Sequence, residues 1–197
     1  MLENKLSITN LVELAKEEER ITKAKALELF DTNKINEIEV GTFNGLSQIH
    51  KFLFEDVYYF AGKLRNENIA KGNFIFVPCI YLTAALSKID EMPQNTFDEI
   101  VDKYVEMNVA HPFREGNGRS QRLFIESLAK INGIYLDLTE VPKEDMIIAS
   151  HESIKGNYHK LKEIFIKYSY ALDDKEKLKY ISDYCSDELK KIILNNK

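Results

Sequence analysis

Apolar residues recur every three or four positions along most of the chain, a spacing that is typical of helices. Only 8 glycines and 4 prolines interrupt this pattern. The clearest helix begins at a capping box formed by Thr96 and Glu99 and ends before Pro112. Its apolar face is made of Phe97, Ile100, Val101, Tyr104 and Val105, with Asn108 on the same side. The pattern therefore predicts an all-α fold.

A second helix is predicted to begin near Asn117 and Gly118 and to end before Gly133, which suits a left-handed C-terminal cap. These two helices bracket a short polar loop. Five more helices are expected within four ranges: Val40 to Phe60, 79 to 90, 143 to 170 (two helices) and 173 to 195. We expect a single domain over residues 1–197, with its core at about 7–170 and a helical extension at 173–197.

The segment from Ile69 to Val77 departs from the helical pattern, because two short apolar runs flank Gly72 and Asn73. This arrangement predicts a β-hairpin with a two-residue turn. An isolated hairpin is marginally stable, so it must pack on the helices or offer its edge to a partner. A packed loop without function is the alternative.

Composition narrows the class of protein. Of the 197 residues, 44% are hydrophobic and 30% are charged, which is typical of a soluble globular protein and not of a disordered one. Lys and Arg number 27 against 32 Asp and Glu, giving a formal net charge of −5. Broad, non-specific binding to nucleic acid is therefore not expected, since it needs a surplus of positive charge.

Two cysteines, Cys79 and Cys185, are too few for a disulfide framework or a structural zinc site. The N-terminus has no basic segment followed by an apolar run, and no apolar stretch has the length of a membrane span. We expect a cytoplasmic protein with free thiols and no membrane partner.

The loop between the two bracketing helices combines the groups needed for phosphate chemistry. Gly116 and Gly118 allow a ligand to approach the backbone, and the first N–H groups of the following helix can bind an anion. Arg119 and Arg122 are three residues apart and can add two guanidinium groups. Cations at a helix N-terminus oppose the macrodipole, which favours a functional reason for their presence. The loop therefore predicts a phosphate site.

Two further residues suggest a reaction at this site. Glu115 is a single carboxylate, and Mg²⁺ bound to a polyphosphate needs few protein ligands. His111, at the end of the incoming helix, could accept a proton from an attacking hydroxyl. Each residue also has a structural explanation, since a single histidine, a Gly-Asn-Gly turn or two exposed arginines are common. Their occurrence within twelve residues favours function.

The sequence H-P-F-R-E-G-N-G-R-S-Q-R at residues 111–122 resembles the Fic (filamentation induced by cAMP) motif H-P-F-x-[D/E]-G-N-G-R-x-x-R at every defined position. The similarity continues in four other segments, at 38–42, 60–63, 71–74 and 104–108, and covers about residues 7–170. This resemblance implies the Fic fold, a helical core with a small β-hairpin called the flap.

The resemblance also implies an activity: transfer of AMP from ATP to a Ser, Thr or Tyr hydroxyl of a target protein, with release of pyrophosphate. His111 would deprotonate the hydroxyl, and Glu115 would bind Mg²⁺. Asn117 and the backbone amides around Gly116 and Gly118 would bind the α-phosphate of ATP. Arg119 would bind the β-phosphate, and Arg122 would bind the γ-phosphate.

The flap would pair with an extended target segment by β-addition. Its residues are Lys71, Gly72, Asn73, Phe74 and Ile75. Two other functions remain open, a catalytically silent ATP-binding regulator and a transferase that moves another phosphate-containing group. Members that phosphorylate carry a lysine-containing loop, so Gly118 favours transfer of the nucleotide.

Many Fic proteins are inhibited by a helix with the pattern [S/T]-x-x-x-E-[G/N], whose glutamate pairs with the last arginine of the motif. Thr9 and Glu13 have the spacing, but Leu14 follows where Gly or Asn belongs. Two alternatives follow. Inhibition comes from a separate small antitoxin protein, or from Glu188 in a divergent C-terminal helix.

Overall fold

The computed structural model describes residues 2–171, and seven α-helices account for just over half of these residues. The predicted C-terminal helix, Cys185 and Glu188 lie outside these residues. The helices are α1 (Leu11–Asp31), α2 (Phe43–Phe54), α3 (Leu82–Asp90), α4 (Phe97–Ala110), α5 (Asn117–Ile131), α6 (Lys143–Ser153) and α7 (His159–Lys167). Two 3-10 turns lie at Lys34–Glu37 and Cys79–Tyr81. The expected helical fold is confirmed.

Two small antiparallel sheets accompany the helices. In the flap, β1 (Ala70–Lys71) pairs with β2 (Phe74–Ile75), so that Ala70 lies opposite Ile75 and Lys71 opposite Phe74. The predicted hairpin is confirmed. A second sheet, β3 (Ile134–Leu136) with β4 (Ser169–Ala171), was not predicted from the sequence.

The helix ends around the predicted loop follow from local sequence. The Thr96 hydroxyl accepts the Glu99 N–H and the Glu99 carboxylate accepts the Thr96 N–H, which completes the capping box of α4. The helix ends at Ala110, and the next residue, His111, has a left-handed backbone with φ 46°. After Gly116, α5 begins at Asn117, and it ends before Gly133 at φ 76°, as predicted.

The first helix, α1, was not predicted. The Asn10 side chain caps it by accepting the N–H groups of Val12 and Glu13 at 2.9 and 3.1 Å. Its four buried residues are Leu14, Glu18, Thr22 and Leu29. Because two of them are polar, the helix lacks a continuous apolar stripe, and the hydrophobic pattern alone does not reveal it.

Helices α4 and α5 lie between two hydrophobic clusters. One cluster joins α1, α2 and α3 to one side of α4 and α5, and the other joins the opposite side to β3, α6 and α7. The loop between α4 and α5 belongs to the first cluster through the buried ring of Phe113. Within residues 2–171, no helix is both long and apolar enough to cross a bilayer.

Candidate active site

The loop at residues 112–117, here called the catalytic loop for the role proposed for it, is closed by its own side chains. Asn117 Oδ1 accepts the Phe113 N–H at 2.9 Å, and Asn117 Nδ2 donates to the Phe113 carbonyl at 2.8 Å. The Phe113 ring is fully buried and stacks on His50, with 3.8 Å between the ring centroids. The ring of Phe113 thereby anchors the loop on the hydrophobic core.

The two glycines of the motif, one in the loop and one in the first turn of α5, differ in their surroundings. Gly116 has φ 80°, and a Cβ there would lie 2.3 Å from Cζ of the buried Phe54 ring, so neither the backbone nor the space accepts a side chain. A Cβ at Gly118 would meet nothing within 4 Å. Gly116, the N-cap residue of α5, has no side chain that could cap the helix. Open space therefore adjoins the first N–H groups of α5, which suits an anion.

His50 holds the catalytic loop from behind. The Gly62 N–H donates to His50 Nδ1 at 2.8 Å, so the ring proton is on Nε2, which donates to the Glu115 carbonyl at 2.8 Å. Burial lowers the pKa of His50 to about 4, which keeps this arrangement at neutral pH. Sequence reasoning did not single out His50, although a histidine on the apolar face of α2 is a signal that could have found it.

His111 lies at a cavity as a neutral imidazole. Its Nδ1 is 3.3 Å from the Asn108 carbonyl, an acceptor, so Nδ1 carries the proton and Nε2 keeps its lone pair. Burial lowers the pKa of His111 to about 4. The ring of Phe76, at the end of the flap, stacks on it with 3.9 Å between centroids. His111 can therefore accept a proton through Nε2.

The cavity has a volume of about 230 Å³ and reaches from the catalytic loop to α6. Four cationic side chains line it: Lys71, Arg114, Arg122 and Lys143 at the start of α6, of which Arg114 is paired with Glu67. Met146, Ile147 and Ile154 give the cavity an apolar side on α6, beside a hydrogen bond of 3.1 Å between the hydroxyls of Tyr104 and Ser150. A ligand that carries both an anionic group and a flat, weakly polar group suits this lining.

The two arginines of the motif lie in different surroundings. Arg122 lines the cavity, its Nε donates to the Gly118 carbonyl at 3.3 Å, and it forms no ion pair among residues 2–171. Arg119 stacks on Phe54, with 4.8 Å from its guanidinium carbon to the ring centroid. It forms an ion pair with Glu18 of α1.

Glu18 is the centre of a polar cluster that sequence reasoning missed along with α1. Its side chain is 9% exposed and accepts from Arg119 and from the Tyr58 hydroxyl. Thr22, one turn further on, accepts from Arg119 at 3.2 Å. Burial and the Glu18 carboxylate raise the pKa of Tyr58. Arg119 is thus oriented by α1.

Glu115 directly precedes Gly116, the N-cap residue of α5. Its Oε1 accepts the Gly116 N–H at 2.9 Å, and its side chain is 48% exposed. In the described part of the chain, no three His, Cys, Asp or Glu side chains are grouped as metal ligands. A single carboxylate that is half-exposed, though 3.8 Å from the Arg119 guanidinium, suits Mg²⁺, which takes its other ligands from phosphates and water.

The flap covers one side of the cavity. Lys71 and Phe76 line the cavity, and Gly72 supplies a positive φ of 59° at the turn. Beyond β2, the Val77 N–H donates to the Val109 carbonyl of α4 at 3.3 Å. Both strands have only two residues, and most of the hairpin is exposed.

Comparison with known proteins gives a consistent assignment. The Fic/DOC family model matches residues 42–129, from the N-cap of α2 to near the end of α5. The chain is 33% identical to the protein adenylyltransferase VbhT of Bartonella schoenbuchensis over 165 residues, which are 78% of this chain and 34% of VbhT. It is 32% identical to a probable protein adenylyltransferase Fic of Escherichia coli K12 over 133 residues, 62% of this chain and 66% of that protein. The chain thus spans about a third of VbhT and just under two thirds of the E. coli protein.

Solved structures have the same fold. BepC of Bartonella tribocorum, solved with bound AMPPNP, superposes with a TM-score of 0.74 at 22% identity, covering 88% of this chain and 94% of BepC. The N-terminal Fic domain of an effector from Bartonella quintana gives a TM-score of 0.74 at 24% identity, covering 93% and 94%.

Proposed function

The chain belongs to the Fic/DOC family, and from this premise we propose that it is a protein adenylyltransferase, whose reaction moves AMP from ATP to a Ser, Thr or Tyr hydroxyl of a target protein and releases pyrophosphate. One observation carries the proposal: a neutral His111 lines the same cavity as the start of α5 and Arg122. We also propose that residues 1–197 form one Fic domain, in a cytoplasmic protein.

We infer the direction of bound ATP from the residues that line the cavity. The phosphates would lie over the start of α5, with the α-phosphate at Asn117 and the amides around Gly116 and Gly118. Arg122 would bind the γ-phosphate. Arg119 would bind the β-phosphate, and its guanidinium, though paired with Glu18, remains about one-third exposed. The adenine would pack on the apolar side of the cavity, on α6.

The proposed reaction is an attack of the target hydroxyl on the α-phosphorus. The hydroxyl proton passes to Nε2 of His111 as the new O–P bond forms. The bond between the α-phosphorus and the bridging oxygen breaks, and pyrophosphate leaves with its charge facing Arg122 and the helix N-terminus. Mg²⁺ held by Glu115 would neutralise charge on the α- and β-phosphates.

The target protein would be recognised by the flap. A hairpin of two-residue strands leaves main-chain groups available for pairing with an extended segment. The residues proposed to bind the target are Lys71, Gly72, Asn73, Phe74 and Ile75. Pairing through the backbone would bring a hydroxyl of the target to His111 without demanding one sequence.

Isotopic labelling of ATP tests the proposal. We expect label from the α-phosphate on protein after incubation with bacterial extract, and a loss of at least about 10²-fold in His111→Ala, because the general base is gone. His159→Ala is the matched control, because His159 begins α7 and does not line the cavity. Label transferred from the γ-phosphate alone would indicate phosphotransfer. ATP binding without transfer of label would favour a silent regulator.

For regulation, we propose inhibition by a separate small antitoxin protein that supplies a carboxylate to Arg122. The proposal is supported by the lack of an ion pair at Arg122 among residues 2–171. The rival is Glu188 of the same chain. Deleting residues 173–197 distinguishes the two, since a large gain in transfer activity would contradict inhibition in trans and support the rival.

A further inference from the structure

Arg65 is a buried cation that no carboxylate in residues 2–171 neutralises through an ion pair. It lies on the segment between α2 and the flap and is 5% exposed. Buried charges are costly unless they are paired or fully hydrogen-bonded. Arg65 meets this requirement by donating to main-chain carbonyls. Its position is therefore tied to the backbone segments that supply those carbonyls.

Three of the four carbonyls that accept from the Arg65 side chain belong to two parts of the candidate active site. Nε donates to the His111 carbonyl at 2.8 Å, and Nη2 donates to the Ala110 carbonyl at 3.1 Å, both at the end of α4. Nη2 also donates to the Val77 carbonyl, just beyond β2. The fourth acceptor is the Glu67 carbonyl, bound by Nη1 at 2.7 Å. One side chain therefore links the end of α4 to the base of the flap.

The backbone that Arg65 holds is an unfavourable one. His111 has φ 46°, and a residue with a side chain loses about 1 kcal/mol or more in the left-handed region. Arg65 fixes the carbonyl of His111 through Nε and the carbonyl of Pro112 through its own N–H, at 2.9 Å. Two successive peptide groups are thus held in the orientation that places the His111 ring at the cavity.

We propose that Arg65 is a positioning residue: its guanidinium holds His111 in the left-handed conformation and fixes the flap above it. This inference rests on the proposed function for its effect on catalysis, while the geometry it describes stands apart from any reaction. Lysine cannot replace it, because four acceptors in different directions require the planar fork of an arginine.

The test uses Arg65→Lys in the full chain. We expect ATP to bind with an affinity within about threefold of the parent, because Arg65 does not line the cavity. We expect kcat for transfer to fall about 10²-fold, since a displaced base loses its near-attack geometry. Two further measurements do not depend on activity. We expect the NMR chemical shifts of the His111 backbone to change in Arg65→Lys, and we expect the flap amides to exchange with deuterium faster.

Lys103→Met is the matched control. Lys103 is also a fully buried cation, and its Nζ donates to Gln94 Oε1 at 2.5 Å and to the Asp90 carbonyl at 3.4 Å, away from the cavity. We expect it to lose stability but to keep kcat. Equal losses of kcat in the two variants, or an unchanged His111 backbone in Arg65→Lys, would overturn the inference. Absence of transfer by the parent would contradict the proposed function alone, because the NMR and exchange measurements would still decide the role of Arg65.

Discussion

The catalytic loop and the flap lie on two sides of His111, and they are held in opposite ways. The loop is anchored by the buried ring of Phe113, by the Asn117 amide and by His50 behind it. The flap has two paired positions and is attached near its base, where Phe76 stacks on His111. The chemical groups are therefore preorganised, while the element proposed to meet the target leaves its strands exposed.

The loop depends on its side chains, whereas the flap depends on its backbone. In the loop, particular side chains and one glycine are required, because atoms of the protein fill the space around them. In the flap, the backbone offers the hydrogen bonds, and its turn projects into open space. The loop should therefore respond strongly to small substitutions, and the flap weakly, as far as stability is concerned.

A pair of glycine substitutions tests this contrast with the largest expected effect. Gly116→Ala and Gly72→Ala both place a side chain at positive φ, but only the alanine at 116 meets the Phe54 ring, at 2.3 Å. We expect Gly116→Ala to lower the free energy of unfolding by roughly 3–4 kcal/mol, from backbone strain plus overpacking. Gly72→Ala should cost about 1 kcal/mol. Urea denaturation measures both, and similar losses would show that the loop and the flap are equally tolerant.

Glu18→Ala tests whether α1 holds Arg119 of the motif in place, and we expect an intermediate effect on stability. The substitution leaves Arg119 and the buried Tyr58 hydroxyl without their shared acceptor. We expect a loss of about 2–3 kcal/mol in the free energy of unfolding. The control is Glu17→Ala, because Glu17 pairs with Arg20 on the surface, and such pairs contribute about 0–1 kcal/mol. A loss from Glu18→Ala no larger than that of the control would mean that α1 does not support Arg119.

The same contrast explains what could be predicted from the sequence. The catalytic loop and its two helices carry local signals, a capping box at Thr96 and a motif of fixed spacing, and each was found where predicted. The hairpin was found from its turn residues. Such local signals can be recognised in a single sequence because the residues that interact are close together in the chain.

The features that escaped prediction depend on contacts between distant residues. Helix α1 buries Glu18 against Tyr58 and Arg119, which are 40 and 101 positions away. His50 and Arg65 donate to main-chain carbonyls, so even where the residue type is a signal, as for His50, the sequence does not identify the acceptor. The second sheet pairs two strands of three residues, too short for a recognisable alternation.

Phe76→Leu tests the contact between the flap and His111, and it has the smallest expected effect. Burial holds the pKa of both His111 and His50 at about 4, below the ordinary value of 6.5, but only His111 is covered by the ring of Phe76. A leucine covers less of the imidazole, so the pKa of His111 should rise toward 6.5. We expect its proton affinity to increase by up to about tenfold, which corresponds to about 1.4 kcal/mol. The pKa of His50 should stay at about 4 and serves as the internal control.

NMR titration of the two imidazole rings is the direct measurement. In both histidines the folded state has the lower pKa, so the unfolded state binds more protons, and the free energy of unfolding falls as pH drops from about 6.5 to about 4. Burial raises the pKa of Glu126 to about 7, which has the opposite effect on stability, so a denaturation curve alone would mix the two. In Phe76→Leu the part of the acid destabilisation that belongs to His111 should shrink. An unchanged His111 titration would mean that burial by the helices and the catalytic loop, without the flap, keeps the base neutral.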